Sequence, residues 1–270
     1  MTGKKFTEEL IAKLEAENAR LKEEAALMKR MLLKTYRQPS LGFISVGIAH
    51  NLNSPLGGVI GYSQLLQFKA PEAPGVDKII NQARRISELI QRVAKKGETE
   101  NSHDIEKINL NSLLETEIDY LYFNLFFKHQ VLDRQIIYGG ISKFLGVYSD
   151  FSQCFHQLVS NALHAMYYKE PRKLTIGTAL ENGHLLLKVT DIGVGIPAEN
   201  MDKIFLPGFT TKAPLFEAED VYEPNGGGMG LYICRELLKP YNAELRIESQ
   251  EGIGTTAIID IPPETLAREG

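Results

Sequence analysis

The chain has 270 residues, 43% of them hydrophobic and 24% charged, which suits one sizeable globular core with something smaller attached. A formal net charge of −4, with no block rich in Lys and Arg, argues against a nucleic-acid partner. Apolar runs fall short of a bilayer crossing and the N-terminus has no apolar signal core, so the expectation is a cytoplasmic chain with no membrane span.

Residues 1–38 read as a first, helical unit, and 8–38 within it are charge-rich and almost free of turn formers. Ile11, Leu14, Asn18, Leu21, Ala25, Met28 and Leu32 alternate spacings of three and four, with Lys and Glu on the flanks. That is a heptad seam, in which Asn18 would favour a parallel two-stranded register. A single amphipathic helix packed on its own domain is the other reading. Pro39-Ser40 interrupts the pattern, and residues 39–100 read as a second unit. A helix is predicted from about Leu41 to Phe68, a turn at Ala70-Pro-Glu-Ala-Pro-Gly75, and a helix from about Val76 to Lys95. In the latter, Ile79, Ile80, Ala83, Ile86, Leu89, Ile90 and Val93 share a face. Such an antiparallel hairpin cannot bury its stripe alone. Two hairpins joined into a four-helix bundle can, so a homodimer is expected.

The first hairpin helix holds "IAHNLNSPL", residues 48–56, with His50 five residues before Pro55. Proline cannot donate to the carbonyl of Asn51 and clashes with it. Gly57, Gly58 and Gly61 loosen the same region. The residues alone leave two readings open: a reactive imidazole above a bendable helix, or a structural histidine and a Pro-Gly break between two short helices.

After a polar linker at 97–104 the texture changes, and residues 101–270 read as a mixed α/β domain. Helical patterns cover Asn111–Lys128, Asp150–Tyr168 and Tyr232–Leu238. Strand patterns cover Gln135–Tyr138, Lys173–Leu180, His184–Thr190, Ala243–Ser249 and Thr255–Ile261. Cys154 and Cys234 lie in apolar helical patterns and read as buried free thiols. Tyr120, Tyr122, Phe123, Phe126 and Phe127 read as core. His156 and His164 have no ligand cluster around them and read as ordinary helix residues; His103, His129 and His184 read as loop or surface.

Three segments carry chemistry. Thr190-Asp-Ile-Gly-Val-Gly-Ile-Pro197 leaves a strand, and Gly193 and Gly195 let the backbone turn tightly beside Asp191, whose carboxylate can accept from an exocyclic amine. By itself the motif also fits a plain turn. Asn225-Gly-Gly-Gly-Met-Gly-Leu231 places Gly226, Gly228 and Gly230 before a helix start, where backbone N–H groups suit phosphate oxygens. It lacks the Gly-Lys-Ser/Thr ending of a Walker loop. On the third, Gln157 and Asn161 share a helix face, and an asparagine carbonyl can ligate Mg²⁺ beside nucleotide phosphates.

These segments, in this order, resemble the ATP-binding domain of sensor histidine kinases, DNA gyrase and the MutL mismatch-repair protein. "IFLPGFTTK" (204–212) and "SQEGIGTTAIIDIP" (249–262) extend the match to roughly half the chain. The resemblance implies a multidomain protein: a coiled coil, a helical hairpin forming a dimeric four-helix bundle, and a two-layer α/β sandwich of the Bergerat type binding ATP and Mg²⁺. It implies that Asn161 holds Mg²⁺ and Asp191 the adenine amine. Gly193 and Gly195 would shape the adenine pocket, and Gly226, Gly228, Gly230 and Leu231 would enclose the phosphates. Lys212 and Ala213–Asn225 would form a lid. Gln157 stands where asparagine is usual.

"FISVGIAHNLNSPLGGVIGY" (43–62) is similar to the phosphoacceptor box of the same kinases. His50 would then take the phosphoryl group and pass it to an aspartate on a response-regulator receiver domain docking near Leu56–Phe68. An upstream sensor domain or protein would feed the coiled coil. The family places an acid directly after the histidine, whereas this chain has Asn51, which cannot accept a proton. Ser54 stands where a Thr or Asn assists phosphatase chemistry. The reading is thus a protein histidine kinase, slow in autophosphorylation, with phosphatase activity open. The competing readings are an ATP-binding dimeric scaffold or regulator of another kinase, and a serine kinase or ATPase of the same superfamily.

Overall fold

Residues Gly42–Lys69 form α1, a helix of 28 residues. It runs on through Pro55, so the alternative of two short helices split at the Pro-Gly stretch does not hold. Gly75, with φ of +88°, opens the second hairpin helix, its carbonyl accepting from Ile79 N–H at 3.1 Å. The structure, a computed structural model, describes residues 17, 20, 42–69, 75–84, 86, 87, 90, 104–122, 124–140, 143–212 and 227–265; of residues 42–55 and 125 it describes the backbone. The expected heptad seam, the 97–103 part of the linker, His103, Phe123, Gly226 and the expected lid Ala213–Asn225 lie outside the described residues, apart from Glu17 and Arg20, which are helical and exposed. Residues 1–38 and 39–270 are separate compact units.

In the hairpin, Val76, Ile80, Ala83 and Ile90 are buried, at helical spacing. Gln67 Nε2 donates to Asp77 Oδ1 across the two helices at 2.6 Å. Ile79 and Ile86, expected on the buried face, are half exposed, as are Val59, Leu65 and Leu66; Tyr62 and Phe68 are largely exposed. Among the described residues this apolar surface has no cover. No described helix is long and apolar enough to cross a membrane.

From residue 104 the α/β domain begins. β1 (Glu106–Ile108) pairs antiparallel with β3 (Phe144–Gly146), a two-stranded sheet the sequence pattern did not reveal. The main sheet has five strands in the order β2-β4-β5-β7-β6, from β2 (Asp133–Ile137), β4 (Lys173–Glu181), β5 (His184–Asp191), β6 (Glu244–Gln250) and β7 (Gly254–Ile261). β2 joins β4 in parallel; every other pairing is antiparallel. The five expected strands are all present, shifted at their ends by one or two residues.

The expected helix over 111–128 is two: α2 (Leu110–Leu121) and α3 (Leu125–Gln130). Asn109 and Asn124 each cap one, accepting from Ser112 N–H at 3.1 Å and Phe127 N–H at 2.9 Å. An asparagine that bonds the next turn's backbone begins a helix rather than continuing one. α4 (Tyr148–Ala165) and α5 (Gly230–Leu238) pack against each other and against the sheet. Alternation places Leu174, Ile176, Leu185, Leu187, Val189, Ile259 and Ile261 on the helix side, against Phe155, Leu158, Val159, Ile233 and Leu237, all fully or nearly fully buried. Cys154 and Cys234 are free and buried between the helices. The outer face carries ion pairs: His184 and Arg246 both meet Asp260, and Lys188 meets Glu181. His184 is therefore a strand residue with an acidic partner, not a loop residue.

Asp150 at the start of α4 is fully buried. Tyr241 donates its hydroxyl to Asp150 Oδ2 at 2.7 Å and accepts from Val147 N–H at 3.1 Å. Removing that hydroxyl leaves a buried carboxylate and an amide short of a partner. Tyr241→Phe is expected to cost roughly 2–3 kcal/mol of stability, read as a lower urea midpoint at unchanged slope.

Candidate functional site

β5 ends at Asp191, on the helix-facing side of the sheet and buried. Its Oδ1 accepts from Gly193 N–H at 2.7 Å. Burial pushes the carboxyl up to about 6; the N–H groups of Gly193 and Thr255 and the charge of Lys169 pull the other way. A turn that folds back this tightly needs missing side chains. A Cβ on Gly193 would lie 2.6 Å from the backbone of Ala165, whose carbonyl accepts from Val194 N–H at 3.0 Å. Gly195 has φ of +70°, and a Cβ there would meet the carbonyl oxygen of Gln250 at 2.1 Å. Ser249 completes the frame, its Oγ accepting from Ile196 N–H at 2.9 Å and donating to Gly254 O at 3.0 Å.

The second cluster lies at the start of α5. The helix ladder begins with Ile233 N–H donating to Met229 O at 2.9 Å, and the N–H groups of the first turn, at Gly230, Leu231 and Tyr232, precede it. Gly228 faces the segment 208–209, and its carbonyl accepts from Gly208 N–H at 3.0 Å. Gly230 sits on Gln157: a Cβ would come within 2.2 Å of that side chain. Gln157 Nε2 donates to Asn161 Oδ1 at 3.4 Å, and Lys212 Nζ donates to the same oxygen at 2.9 Å. Lys212 also reaches His164 Nδ1 at 2.8 Å. Burial lowers Lys212 to about 8, and burial with the Lys212 charge lowers His164 to about 4. His164 is thus neutral near pH 7, with the Nδ1 lone pair accepting from the ammonium.

Residues separated by up to 73 positions thus converge: Gln157, Asn161, Lys212, Gly228 and Gly230 at one end, Asp191, Gly193 and Gly195 at the other, with Leu231 half-buried in the first turn of α5. α4 joins the two ends, since it carries Asn161 and ends at Ala165 against Gly193. His50, Asn51 and Ser54 lie on α1, their side chains outside the described residues. His164, read as an ordinary helix residue, belongs to the cluster; its position three after Asn161, on the same helix face, was the available signal. His156, read the same way, pairs instead with the buried Glu117 of α2. No cluster of three His, Cys, Asp or Glu capable of holding a metal occurs among the described residues. A divalent ion bound mainly by phosphates needs only one or two protein oxygens, which Asn161 Oδ1 can supply; it already accepts a cation.

The family described as "Histidine kinase-, DNA gyrase B-, and HSP90-like ATPase" matches residues 146–265. Sporulation kinase D of Bacillus subtilis is 30% identical over 233 residues, covering 82% of this chain and 42% of that protein. Sporulation kinase C of the same organism is 28% identical over 224 residues, 81% of this chain and 48% of that protein. The sensor histidine kinase RcsC of Escherichia coli is 26% identical over 268 residues, 91% of this chain and 26% of that protein. The chain therefore spans about half or less of the length of these relatives. Among solved structures, the catalytic domain of histidine kinase ThkA aligns at 26% identity with a TM-score of 0.46, covering 59% of this chain and 98% of that one.

The raised Asp191 carboxyl has a signed consequence. Its proton is held more tightly in the folded chain than at the ordinary value of 3.8, so folded-state stability falls as pH rises from about 4 to about 6. A shift of this size corresponds to about 3 kcal/mol. Urea unfolding of wild type and Asp191→Asn between pH 4 and 7 checks this: wild type loses about that much relative to the variant across the interval.

Proposed function

We propose that this chain, a relative of sensor histidine kinases whose residues 146–265 belong to the histidine kinase-, DNA gyrase B- and HSP90-like ATPase family, is an ATP-dependent protein histidine kinase that phosphorylates its own His50. The observation that carries the nucleotide site is the pairing along α4 of a buried carboxylate in a glycine turn with an asparagine and a glycine-led helix start. The receiver of the phosphoryl group would be an aspartate of a response regulator, and the working form a homodimer. The apolar surface of Val59, Tyr62, Leu65, Leu66 and Phe68 offers area for both contacts.

In this reading Asp191 accepts from the adenine amine, and the turn at Gly193 and Gly195 leaves room for the ring. First-turn N–H groups of α5, with the Gly228 backbone, receive the phosphates. Asn161 Oδ1 would hold a Mg²⁺ ion, which when bound would supply charge neutralisation at the phosphate oxygens. Lys212 exchanges its contact with Asn161 and His164 for the arriving phosphates. Its lowered affinity for a proton still leaves it mostly charged near pH 7. His50 in its unprotonated form would attack the γ-phosphorus through Nε2 in line with departing ADP, while Nδ1 gives up its proton to solvent. Asn51 can orient that N–H through its carbonyl but cannot take the proton, which forfeits about 10²–10⁴ in rate. Ser54 can orient a water for removal of phosphate from the regulator.

Asn51 also favours a second reading, an ATP-binding dimeric scaffold or regulator of another kinase that transfers nothing. Incubation with γ-³²P-ATP and Mg²⁺ separates the two. The kinase reading predicts slow, acid-labile labelling, absent in His50→Gln and at least about tenfold faster in Asn51→Glu. ATP binding without label in either wild type or Asn51→Glu would leave the scaffold; acid-stable label would point to a hydroxyl acceptor instead.

A further inference from the structure

We propose that Lys169 is a positioning residue for the adenine end of the site: its ammonium ties the turn after β5 to the turn between β6 and β7, and so fixes the Asp191 carboxylate for the adenine amine. This rests on the ATP reading above.

Lys169 lies just beyond the end of α4, its N–H donating to Met166 O at 3.2 Å. Its Nζ donates to Gly193 O at 2.8 Å and to Gly252 O at 2.7 Å. Those carbonyls belong to different segments, 59 positions apart in sequence. Gly193 is held on both of its peptide groups, since its N–H donates to Asp191 and its carbonyl accepts from Lys169. The second segment is closed from the other side by Gly252 N–H, which donates to Val194 O at 2.7 Å. Apart from the Gly193 N–H bond to the Asp191 carboxylate, the remaining ties in this frame join neutral groups; those from Lys169 are charge-assisted and correspondingly stronger.

Position and charge act together. From the turn and from β7, Asp191 meets backbone N–H groups, those of Gly193 and Thr255; the charge that acts on it is that of Lys169, and it favours the ionised carboxylate. An ionised carboxylate is the better acceptor for an exocyclic amine. Loss of Lys169 therefore removes the clamp on the turn and makes Asp191 easier to protonate. A purely structural lysine would have the first effect alone.

The test is calorimetric binding of ATP and ADP with Mg²⁺ to the full chain between pH 5 and 8, for wild type, Lys169→Met, Lys169→Gln and Lys169→Arg, each first shown to unfold cooperatively. Wild type is expected to lose affinity as pH falls through about 6. The two neutral variants should bind both nucleotides about tenfold more weakly at pH 7.5, because Lys169 acts at the base, which ATP and ADP share, and not at the γ-phosphate. Their affinity should also begin to fall at a higher pH, by roughly half a unit or more. Lys169→Arg should restore both properties. Neutral variants with wild-type affinity and wild-type pH dependence would overturn the proposal, as would a loss equal in all three variants with no movement of the pH break. A wild type that binds neither nucleotide would instead overturn the ATP reading on which the proposal stands.

Discussion

The site depends on one constraint: a carboxylate, Asp191, must stay available in a buried place at the end of a central strand. Burial opposes its charge and raises its proton affinity, and the backbone answers with the N–H groups of Gly193 and Thr255. To bring those donors in, the chain folds back within two residues of the strand end and lies against Ala165 and Gln250 at distances no side chain allows. The glycines of this turn follow from the carboxylate. So does part of the stability cost, which the surrounding core absorbs.

The helix α4 then sets the length of the site. Its last turn supports the glycine turn, and the face bearing Gln157, Asn161 and His164 meets the start of α5 and Lys212. A base bound near Asp191 and phosphates bound near Asn161 would thus be measured off along one rigid helix. Lys212 occupies the position of a cation toward Asn161 Oδ1, so the polar atoms that would serve a nucleotide-bound ion are satisfied within the chain itself. His164 assists by remaining unprotonated, which burial and the adjacent ammonium both enforce.

Much of this was legible in the sequence because the signals were local. Period-two alternation marked the strands of the main sheet, and Asp191-Ile-Gly-Val-Gly195 named its own turn. The β1–β3 pair escaped notice because three residues are too few to display a period. The break between α2 and α3 escaped because Asn124 sits inside an apolar, aromatic-rich run whose pattern continues across it. Lys169 and the Glu117–His156 pair were invisible for a different reason: their meaning lies in partners 24, 83 and 39 positions away. His164 was within reach, but its partner Lys212 is 48 positions on. The hairpin's helices were legible from spacing, and Pro55 proved compatible with a continuous helix.

Everything claimed for the nucleotide rests on the Asp191 carboxylate receiving a donor from the base. The direct measurement compares, at pH 7.5 with Mg²⁺, the affinity of the full chain for ATP and for purine riboside triphosphate, which lacks only the amine. The account predicts about tenfold or weaker binding of the analogue, with the difference vanishing in Asp191→Ala. Equal affinity of the wild-type chain for the two nucleotides would contradict it.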